Sequence, residues 1–335
     1  MLPSTPRESG ESVLLLSAAH LTQLLDHRAL LDGLRDAMRA YEDEAVPRAR
    51  RAHSVVTAGN AQSVMIVFPG IVPGIPAYTV KVNAKLPERT PSVLGLLSLH
   101  DMDSGRPLAI MDSGVITAVR TALLGGVAAD ALARRAIETV AIIGAGVQGR
   151  GQLKALQMVR SFTHVRVFDT DRARATRLID DVSPTINATF TVADSVEAAV
   201  RDADVVITAT WAKRPFLTRR MIRPGTHITA VGADEPGKGE LAADLILASR
   251  FVCDDPDLAL SMGALAGASL GKEAIHASLG AVLTDPALGR VNDDDITVFG
   301  SVGLPCQDLV AAWQAYGAAR AVGVGGDFRF LPERH

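Results

Sequence analysis

The rhythm of apolar and polar positions changes near residue 118. Beyond it, short apolar runs at 139–143, 164–168, 188–192, 204–210, 226–231, 250–253 and 296–300 alternate with stretches of helical spacing. Strands alternating with helices predict a parallel, doubly wound sheet. A helical pattern over 148–160 follows the first run. Asp194-Ser195-Val196-Glu197 reads as a helix start, with Asp194 as the capping acid and Glu197 reaching back. Before residue 118 two helices are expected, near 17–26 and 28–44, and then β-rich runs at 52–57, 63–68, 78–82, 93–99 and 107–111. Pro69-Gly70, Pro73-Gly74-Ile75-Pro76 and Ser104-Gly105-Arg106-Pro107 punctuate those runs. The stretch 113–133, rich in Ala, Gly and Thr, should be the helix leading into the second half, and 307–322 reads as one more helix. The pattern therefore predicts an α/β chain: an α+β domain over 1–118, rejoined by a C-terminal helix at 305–330, and a parallel-sheet domain over 119–304. Residues 1–11 are polar, contain two prolines and are expected to fray.

The first run of the second half continues directly into a glycine motif, Val140-Ala141-Ile142-Ile143-Gly144-Ala145-Gly146-Val147-Gln148-Gly149. Each glycine has a mechanical reason. Gly144 permits the tight strand-to-helix turn, Gly146 lets the backbone approach a pyrophosphate, and Gly149 lets helix and strand pack closely. The helix N-terminus then offers N–H groups and a positive dipole end to phosphates. The next run, Val165-Arg166-Val167-Phe168, ends in Asp169, where a ribose-binding acid belongs. This context predicts a Rossmann-type domain that binds NAD(P). An acid at 169 favours NAD, with its free 2′-hydroxyl. Arg172 and Arg174 lie close enough to admit NADP as the alternative.

Composition narrows the class. At 335 residues and 48% hydrophobic, the chain can bury a sizeable core for about two domains. Its net charge of −3 gives no electrostatic footprint for nucleic acid, and Arg48, Arg50 and Arg51 are too few for a polybasic patch. No continuous apolar run reaches the ~18 residues of a membrane span, and no signal peptide is visible. Cys253 and Cys306 lack metal-ligand spacing and read as buried free thiols, so a cytoplasmic protein without a metal site is expected.

Chemistry points to two constellations. A nicotinamide enzyme needs a clamp for its substrate and a proton donor. Arg48 after Pro47, Lys81 in Thr79-Val80-Lys81-Val82-Asn83, and Arg120 inside a small, apolar helix could clamp a carboxylate. Taken singly, each has the alternative role of a surface salt-bridge residue. The second constellation is the stretch 224–241, where a strand ends in a glycine-rich loop carrying Asp234. Ligands of open α/β sheets sit beyond the carboxyl ends of strands, so Asp234 stands where a general acid is useful. Its alternative role is that of a turn former. His227 is expected to pack within the strand.

With those motifs in view, the chain resembles the ornithine cyclodeaminase/mu-crystallin family, which includes archaeal-type alanine dehydrogenases and ketimine reductases. The resemblance is carried by Pro47-Arg48, Lys81-Val82-Asn83, Gly105-Arg106-Pro107-Leu108-Ala109, Ile116-Thr117-Ala118-Val119-Arg120-Thr121, the glycine motif, the stretch 224–241 and Phe299-Gly300-Ser301-Val302-Gly303-Leu304. It implies that Arg48, Lys81 and Arg120 hold the substrate carboxylate and that Asp234 is the catalytic acid/base, with Lys81 also in the catalytic set. It implies cofactor contacts from Gly144, Ala145, Gly146, Val147 and Gln148 at the pyrophosphate and from Asp169 at the ribose. Further cofactor contacts would come from Ser92, Thr208 or Thr210, Val231, Lys238 and Ser301. It also implies a homodimer joined through the first domain.

The chain departs from the family pattern in three places. Ser63-Val64-Met65-Ile66-Val67-Phe68-Pro69 lacks the acid that would hold a distal amine, and Phe68 replaces a Met. An apolar end disfavours the side-chain ammonium of ornithine. The Asn expected after the Lys81 segment is missing around Pro87-Glu88-Arg89, and the longer spacing from Arg48 to Phe68 lets Arg50 replace Arg48 in the clamp. The reading is an NAD(P)-dependent oxidoreductase acting at the Cα–N bond of a small amino or imino acid, preferably a pyrroline-2-carboxylate-type ketimine reductase. Ornithine cyclodeaminase and alanine dehydrogenase are the alternatives of the same class. A mu-crystallin-like small-ligand binder is the alternative of another class.

Overall fold

The computed structural model describes residues 12–43, 52–58, 61–86 and 91–329, and for 52–58 and 61–68 it describes the backbone alone. The N-terminal stretch expected to fray lies outside the described residues. Along the chain the first elements are β1 (Val13–Leu16), α1 (Ala18–Leu24), α2 (His27–Ala40), β2 (Ala52–Ala58), β3 (Ala61–Gly70), β4 (Ala77–Lys85), β5 (Val93–Asp101), β6 (Pro107–Asp112) and α3 (Ser113–Leu132). Next come β7 (Thr139–Ile143), α4 (Val147–Gln157), β8 (His164–Phe168), α5 (Arg172–Val182), β9 (Thr189–Val192), α6 (Val196–Val200), β10 (Val205–Thr208) and β11 (His227–Ala230). The remainder are α7 (Ala243–Leu247), β12 (Arg250–Cys253), α8 (Pro256–Ala259), α9 (Gly263–Gly267), β13 (Ala277–Ser278), α10 (Leu279–Thr284), β14 (Thr297–Gly300), α11 (Pro305–Val322) and β15 (Gly326–Phe328). The chain divides into two compact units, one of Met1–Gly33, Asp43–Arg120 and Pro305–His335, the other of Leu34–Glu42 and Thr121–Leu304.

The first unit is built on a seven-stranded sheet in the order β15-β1-β6-β5-β4-β3-β2. All its pairings are antiparallel except β1 with β6. Period-two alternation sets its faces: on β4, Ala77, Thr79, Lys81, Asn83 and Lys85 are buried while Val82 between them is exposed. Helix α11 packs on β3, β4 and β5. The approach is close, because a side chain at Gly70 would come within 2.4 Å of the Pro305 carbonyl. Sequence patterning did not show β1 or β15. The apolar run of β1 has no alternation to read, and β15 is three exposed residues at the sheet edge.

The second unit is an eight-stranded sheet in the order β13-β12-β14-β11-β10-β7-β8-β9, with every pairing parallel. From β7 the chain goes outward through β8 and β9, then returns to the other side of β7 with β10. That reversal is the topological switch point of a Rossmann-type sheet. Alternate residues of β7 feed two separate cores: Ala141 and Ile143 pack with Val206, Ile228 and Val298, while Val140 and Ile142 pack with Leu153, Val165 and Ile207. Both faces are covered, so the strands read as continuous apolar runs. One helix start differs from expectation. The cap of α6 is Ser195, whose hydroxyl accepts the Ala198 N–H at 3.0 Å, and Asp194 precedes it. Glu197 then falls one position short of the capping-box site. Among the described residues α3 alone is long and apolar enough to cross a membrane by length and composition, and 61% of its apolar window is buried within the fold.

Candidate functional site

The glycine turn between β7 and α4 is built as its sequence requires. Gly144 has φ +102°, and a side chain there would strike the Ala209 carbonyl at 2.5 Å. At Gly149 a Cβ would lie 2.1 Å from the Gly144 carbonyl oxygen, so helix and strand meet without room for a methyl group. At Gly146, the N-cap of α4, a Cβ would meet nothing within 4 Å. Open space beside a capping backbone at a helix N-terminus is the cradle that a pyrophosphate needs. Ala145 lies under this turn, Val147 is exposed and Gln148 is half-buried on α4. Asp169, just past β8, accepts the Ala145 N–H on Oδ2 at 2.8 Å and the Asp171 N–H on Oδ1 at 2.9 Å. The acid thus braces the turn and stands beside it. Gly144, Ala145, Gly146, Val147, Gln148 and Asp169 are brought together.

A buried carboxylate that the sequence reading missed organises the neighbouring strand ends. Glu240 is fully buried and accepts four hydrogen bonds. Oε1 takes the Thr210 N–H (2.8 Å) and hydroxyl (2.7 Å), and Oε2 takes the Thr208 hydroxyl (2.7 Å) and the Gly232 N–H (3.0 Å). Burial pushes its carboxyl above the usual range, against the pull of these donors. The Val231 N–H donates to the Thr208 carbonyl at 2.9 Å, extending the β10–β11 pairing. The hydroxyls of Thr208 and Thr210 therefore both point to Glu240.

Beyond β11 the loop carries Asp234. Its Oδ1 accepts from Lys238 Nζ at 2.9 Å, and the same ammonium sits 3.9 Å from the centre of the Trp211 ring. Ser301 is placed by a second missed acid. Asp254 is fully buried and accepts the Ser301 hydroxyl at 2.9 Å and the backbone N–H groups of Val302 and Gly303. Burial raises the Asp254 carboxyl, and the adjacent Asp255 adds to the rise. His227 packs inside the sheet as expected. Its ring nitrogens meet the Thr297 and Thr229 hydroxyls, and burial depresses its pKa to about 3.

The first unit gathers two of the predicted cations. Lys81 from β4 and Arg120 from α3 are 3% and 5% exposed, and they converge on Asp308 of α11, which is 1% exposed. Lys81 Nζ lies 2.5 Å from Asp308 Oδ2, and Arg120 Nε donates to Oδ1 at 3.0 Å. Arg120 Nη1 also donates to Gln307 Oε1 at 2.6 Å, and Lys81 Nζ lies 3.4 Å from the Thr117 hydroxyl. Arg120 Nη2 hydrogen-bonds to none of the described residues. Asp308 and Gln307 were not foreseen; the only sequence signal was an acid in the first turn of a helix otherwise read as packing. Ser92 is half-buried just before β5. Arg48 and Arg50, the alternative third cations, and Pro87-Glu88-Arg89 lie outside the described residues, as do the side chains of 63–68.

A parallel sheet with this switch point and this glycine turn defines a Rossmann-type α/β protein. The family model for the ornithine cyclodeaminase/mu-crystallin family matches residues 11–323, and the chain belongs to that family. It is 32% identical over 306 residues to an alanine dehydrogenase of Archaeoglobus fulgidus, covering 86% of this chain and 94% of the relative. It is 28% identical over 328 residues to a Δ1-pyrroline-2-carboxylate reductase of Bacillus cereus, covering 95% and 100%. Among solved structures, the Δ1-pyrroline-2-carboxylate reductase of Thermococcus litoralis in complex with NADH and L-proline superimposes with a TM-score of 0.86. It has 30% identity and covers 94% of this chain and 99% of that one.

Proposed function

We propose that this chain is an NAD(H)-dependent reductase of cyclic α-imino acids of the pyrroline-2-carboxylate type. The observation that carries the reading is the convergence of Lys81 and Arg120, two cations suited to a carboxylate, in one buried site. Family membership and the Bacillus and Thermococcus relatives support the substrate class. A bound nicotinamide supplies the hydride that reduces the substrate's C=N carbon. Gly144, Ala145, Gly146, Val147 and Gln148 hold the pyrophosphate and Asp169 the ribose. Ser92, Thr208, Thr210, Val231, Lys238 and Ser301 border the rest of the cofactor, the two threonines with their hydroxyls fixed by Glu240.

Lys81 and Arg120 take the substrate carboxylate, joined by Arg48 or Arg50, and Lys81 also serves in the catalytic set. Asp234 delivers the proton to the imine nitrogen as the carbon gains its hydride, so a C–H and an N–H bond form where the C=N π bond was. Lys238 keeps the Asp234 carboxylate oriented between turnovers. The ladder places position 68 opposite Lys81, and a Phe there, with no acid over 63–69, favours an apolar ring over a distal ammonium.

We further infer a homodimer formed through the first unit. The open face of its sheet carries Val82, Leu94 and Leu96, which are 47%, 43% and 59% exposed, with Val82 and Leu96 directly paired in the ladder. Such a contiguous apolar patch favours a protein partner. The free, buried thiols of Cys253 and Cys306 suit a reducing cytoplasm.

The experiment is a panel: NADH with pyrroline-2-carboxylate and NADH with pyruvate and ammonia, both read at 340 nm, and NAD with ornithine read by release of ammonia, because a cyclodeaminase returns its hydride and leaves no net change in NADH. Fastest turnover on the cyclic imine is expected. The identity to the archaeal alanine dehydrogenase favours pyruvate with ammonia as the second reading, and a faster rate there replaces the first. Binding without turnover on every arm would point to a ligand-binding protein.

A further inference from the structure

We propose that Asp308, with Gln307 beside it, is the positioning residue of the carboxylate clamp. This rests on the reading of Lys81 and Arg120 as that clamp. The three elements involved come from distant parts of the chain: β4 brings the lysine, α3 the arginine and α11 the acid. Lysine carries its charge on a stem of four rotatable bonds and arginine is nearly as long, so neither is oriented by its backbone alone. Asp308 has a short stem and sits in the first turn of an 18-residue helix, where the helix dipole favours a negative charge. Each of its oxygens takes one cation, Oδ2 the ammonium and Oδ1 the guanidinium Nε. The pair therefore cannot drift apart by much more than the span of one carboxylate.

Gln307 adds a second point of attachment. It is fully buried, and its Oε1 takes Arg120 Nη1 at 2.6 Å. With Nε and Nη1 both fixed, the guanidinium plane cannot rotate about its stem, and Nη2 points in one direction. Pre-set donors lower the cost of ordering the site when a carboxylate arrives. A purely structural role, stapling α11 to β4, would use the same ion pairs, so stability alone does not separate the two readings.

The separating measurement is substrate affinity against cofactor affinity in the full-length protein. Asp308→Asn removes the charge but not the shape, Asp308→Glu keeps the charge one methylene further out, and Gln307→Met keeps volume and removes the acceptor. Each is measured for the KM and kcat of pyrroline-2-carboxylate, for L-proline binding by calorimetry, and for NADH binding. Loss of charge-assisted orientation should raise the imino-acid KM and weaken L-proline binding by roughly tenfold or more in Asp308→Asn, less in Asp308→Glu, and about threefold in Gln307→Met. NADH binding should stay at the wild-type value in all three. If Asp308→Asn does not fold, Asp308→Glu and Gln307→Met decide by the same split. Unchanged KM and L-proline binding in the folded variants, or equal losses for L-proline and NADH, overturns the positioning role while leaving the function intact. A wild-type protein that neither reduces the imine nor binds L-proline overturns the function itself, and the positioning role with it.

Discussion

The hydroxyl of Thr208, at the end of β10, donates to the carboxylate of Glu240 at 2.7 Å, thirty-two residues further along the chain. The same side chain takes the Gly232 N–H just after β11, so one acid ties together two strand ends at the carboxyl edge of the parallel sheet. A methyl group at Gly232 would come within 2.2 Å of Glu240 Oε1, which leaves glycine the only fit there.

Glu240→Gln tests how tightly that knot is specified. Each carboxylate oxygen faces one backbone N–H, Thr210 on one side and Gly232 on the other. The amide NH₂ therefore meets a backbone donor whichever way it is turned. The expected cost is about 1–3 kcal/mol of stability, read by denaturant unfolding, together with several-fold weaker NADH binding. Wild-type stability and cofactor affinity in this variant would remove Glu240 from the cofactor edge.

The sheet half of this architecture was legible because its signals are local. The β7 and β8 runs, the glycine turn and Asp169 all fall within one strand–helix–strand unit, and their spacing is set by backbone geometry. The pairing acids were not legible. Asp308 lies 188 residues from Arg120, Glu240 reaches Thr208 and Thr210 across 32 and 30 positions, and Asp254 acts on atoms 47 to 49 positions away. A hydrogen bond at such separation leaves no periodic trace, and each acid sits in a segment whose local pattern says only helix or loop. Asp194 and Ser195 both have capping chemistry, and the sequence alone favours the acid because it sets Glu197 three positions on. Only the backbone geometry, with Ser195 extended and Val196 helical, decides between adjacent candidates.

Arg120 gives a second prediction. Breaking a buried ion pair by removing one partner costs about 3–5 kcal/mol, so Arg120→Ala is expected to lose stability as well as substrate affinity. Arg120→Lys separates the two effects. It keeps the charge beside Asp308 but cannot also reach Gln307 with a planar fork. It should fold, bind NADH normally and bind L-proline roughly tenfold more weakly. A lysine variant with normal L-proline affinity would show that the guanidinium geometry is unused.

The third prediction concerns cofactor choice. Asp169 stands against the glycine turn, where its charge opposes a 2′-phosphate. Of the two nearby arginines, Arg172 is engaged with Asp194 at 2.7 Å, while Arg174 lines a cavity of about 230 Å³ with Ala145, Arg150, Arg177, Asp180 and Asp181. NADH should bind more tightly than NADPH, and Asp169→Ser should narrow the gap by strengthening NADPH binding. Tighter NADPH binding by the wild-type protein would mean that the arginines outweigh the acid.

A fourth prediction follows from His227. Its pKa falls from the ordinary 6.5 to about 3 in the fold, because burial and the charges of Arg290 and Arg160 all oppose protonation. Between those values the unfolded chain binds a proton that the folded chain refuses. Stability is therefore complete above pH 6.5 and is lost as pH falls toward 3. The effect is separable between about pH 7 and 5, before most carboxylates titrate. Across that window the wild-type unfolding free energy should fall, and His227→Gln should flatten the slope while retaining a side chain able to meet Thr229 or Thr297. An unchanged slope in the variant would assign the pH dependence elsewhere, with partly buried His276 the next group to test.

The last prediction is Asp234→Asn. In the fold Asp234 accepts from Lys238 at 2.9 Å, and the same ammonium rests on the Trp211 ring. The amide is nearly isosteric and its oxygen can still accept from Lys238, so loop and cofactor edge should hold. It cannot exchange a proton. Turnover on the imine should therefore fall by ~10²–10⁴-fold, with NADH and L-proline binding near wild type. A turn-forming Asp would produce the opposite pattern, a lower melting temperature with normal rate per folded molecule. Turnover, melting temperature and L-proline affinity measured on one preparation distinguish the two. Near-normal turnover would take Asp234 out of the chemistry and strengthen the case for a ligand-binding protein, since a binder has no use for the proton.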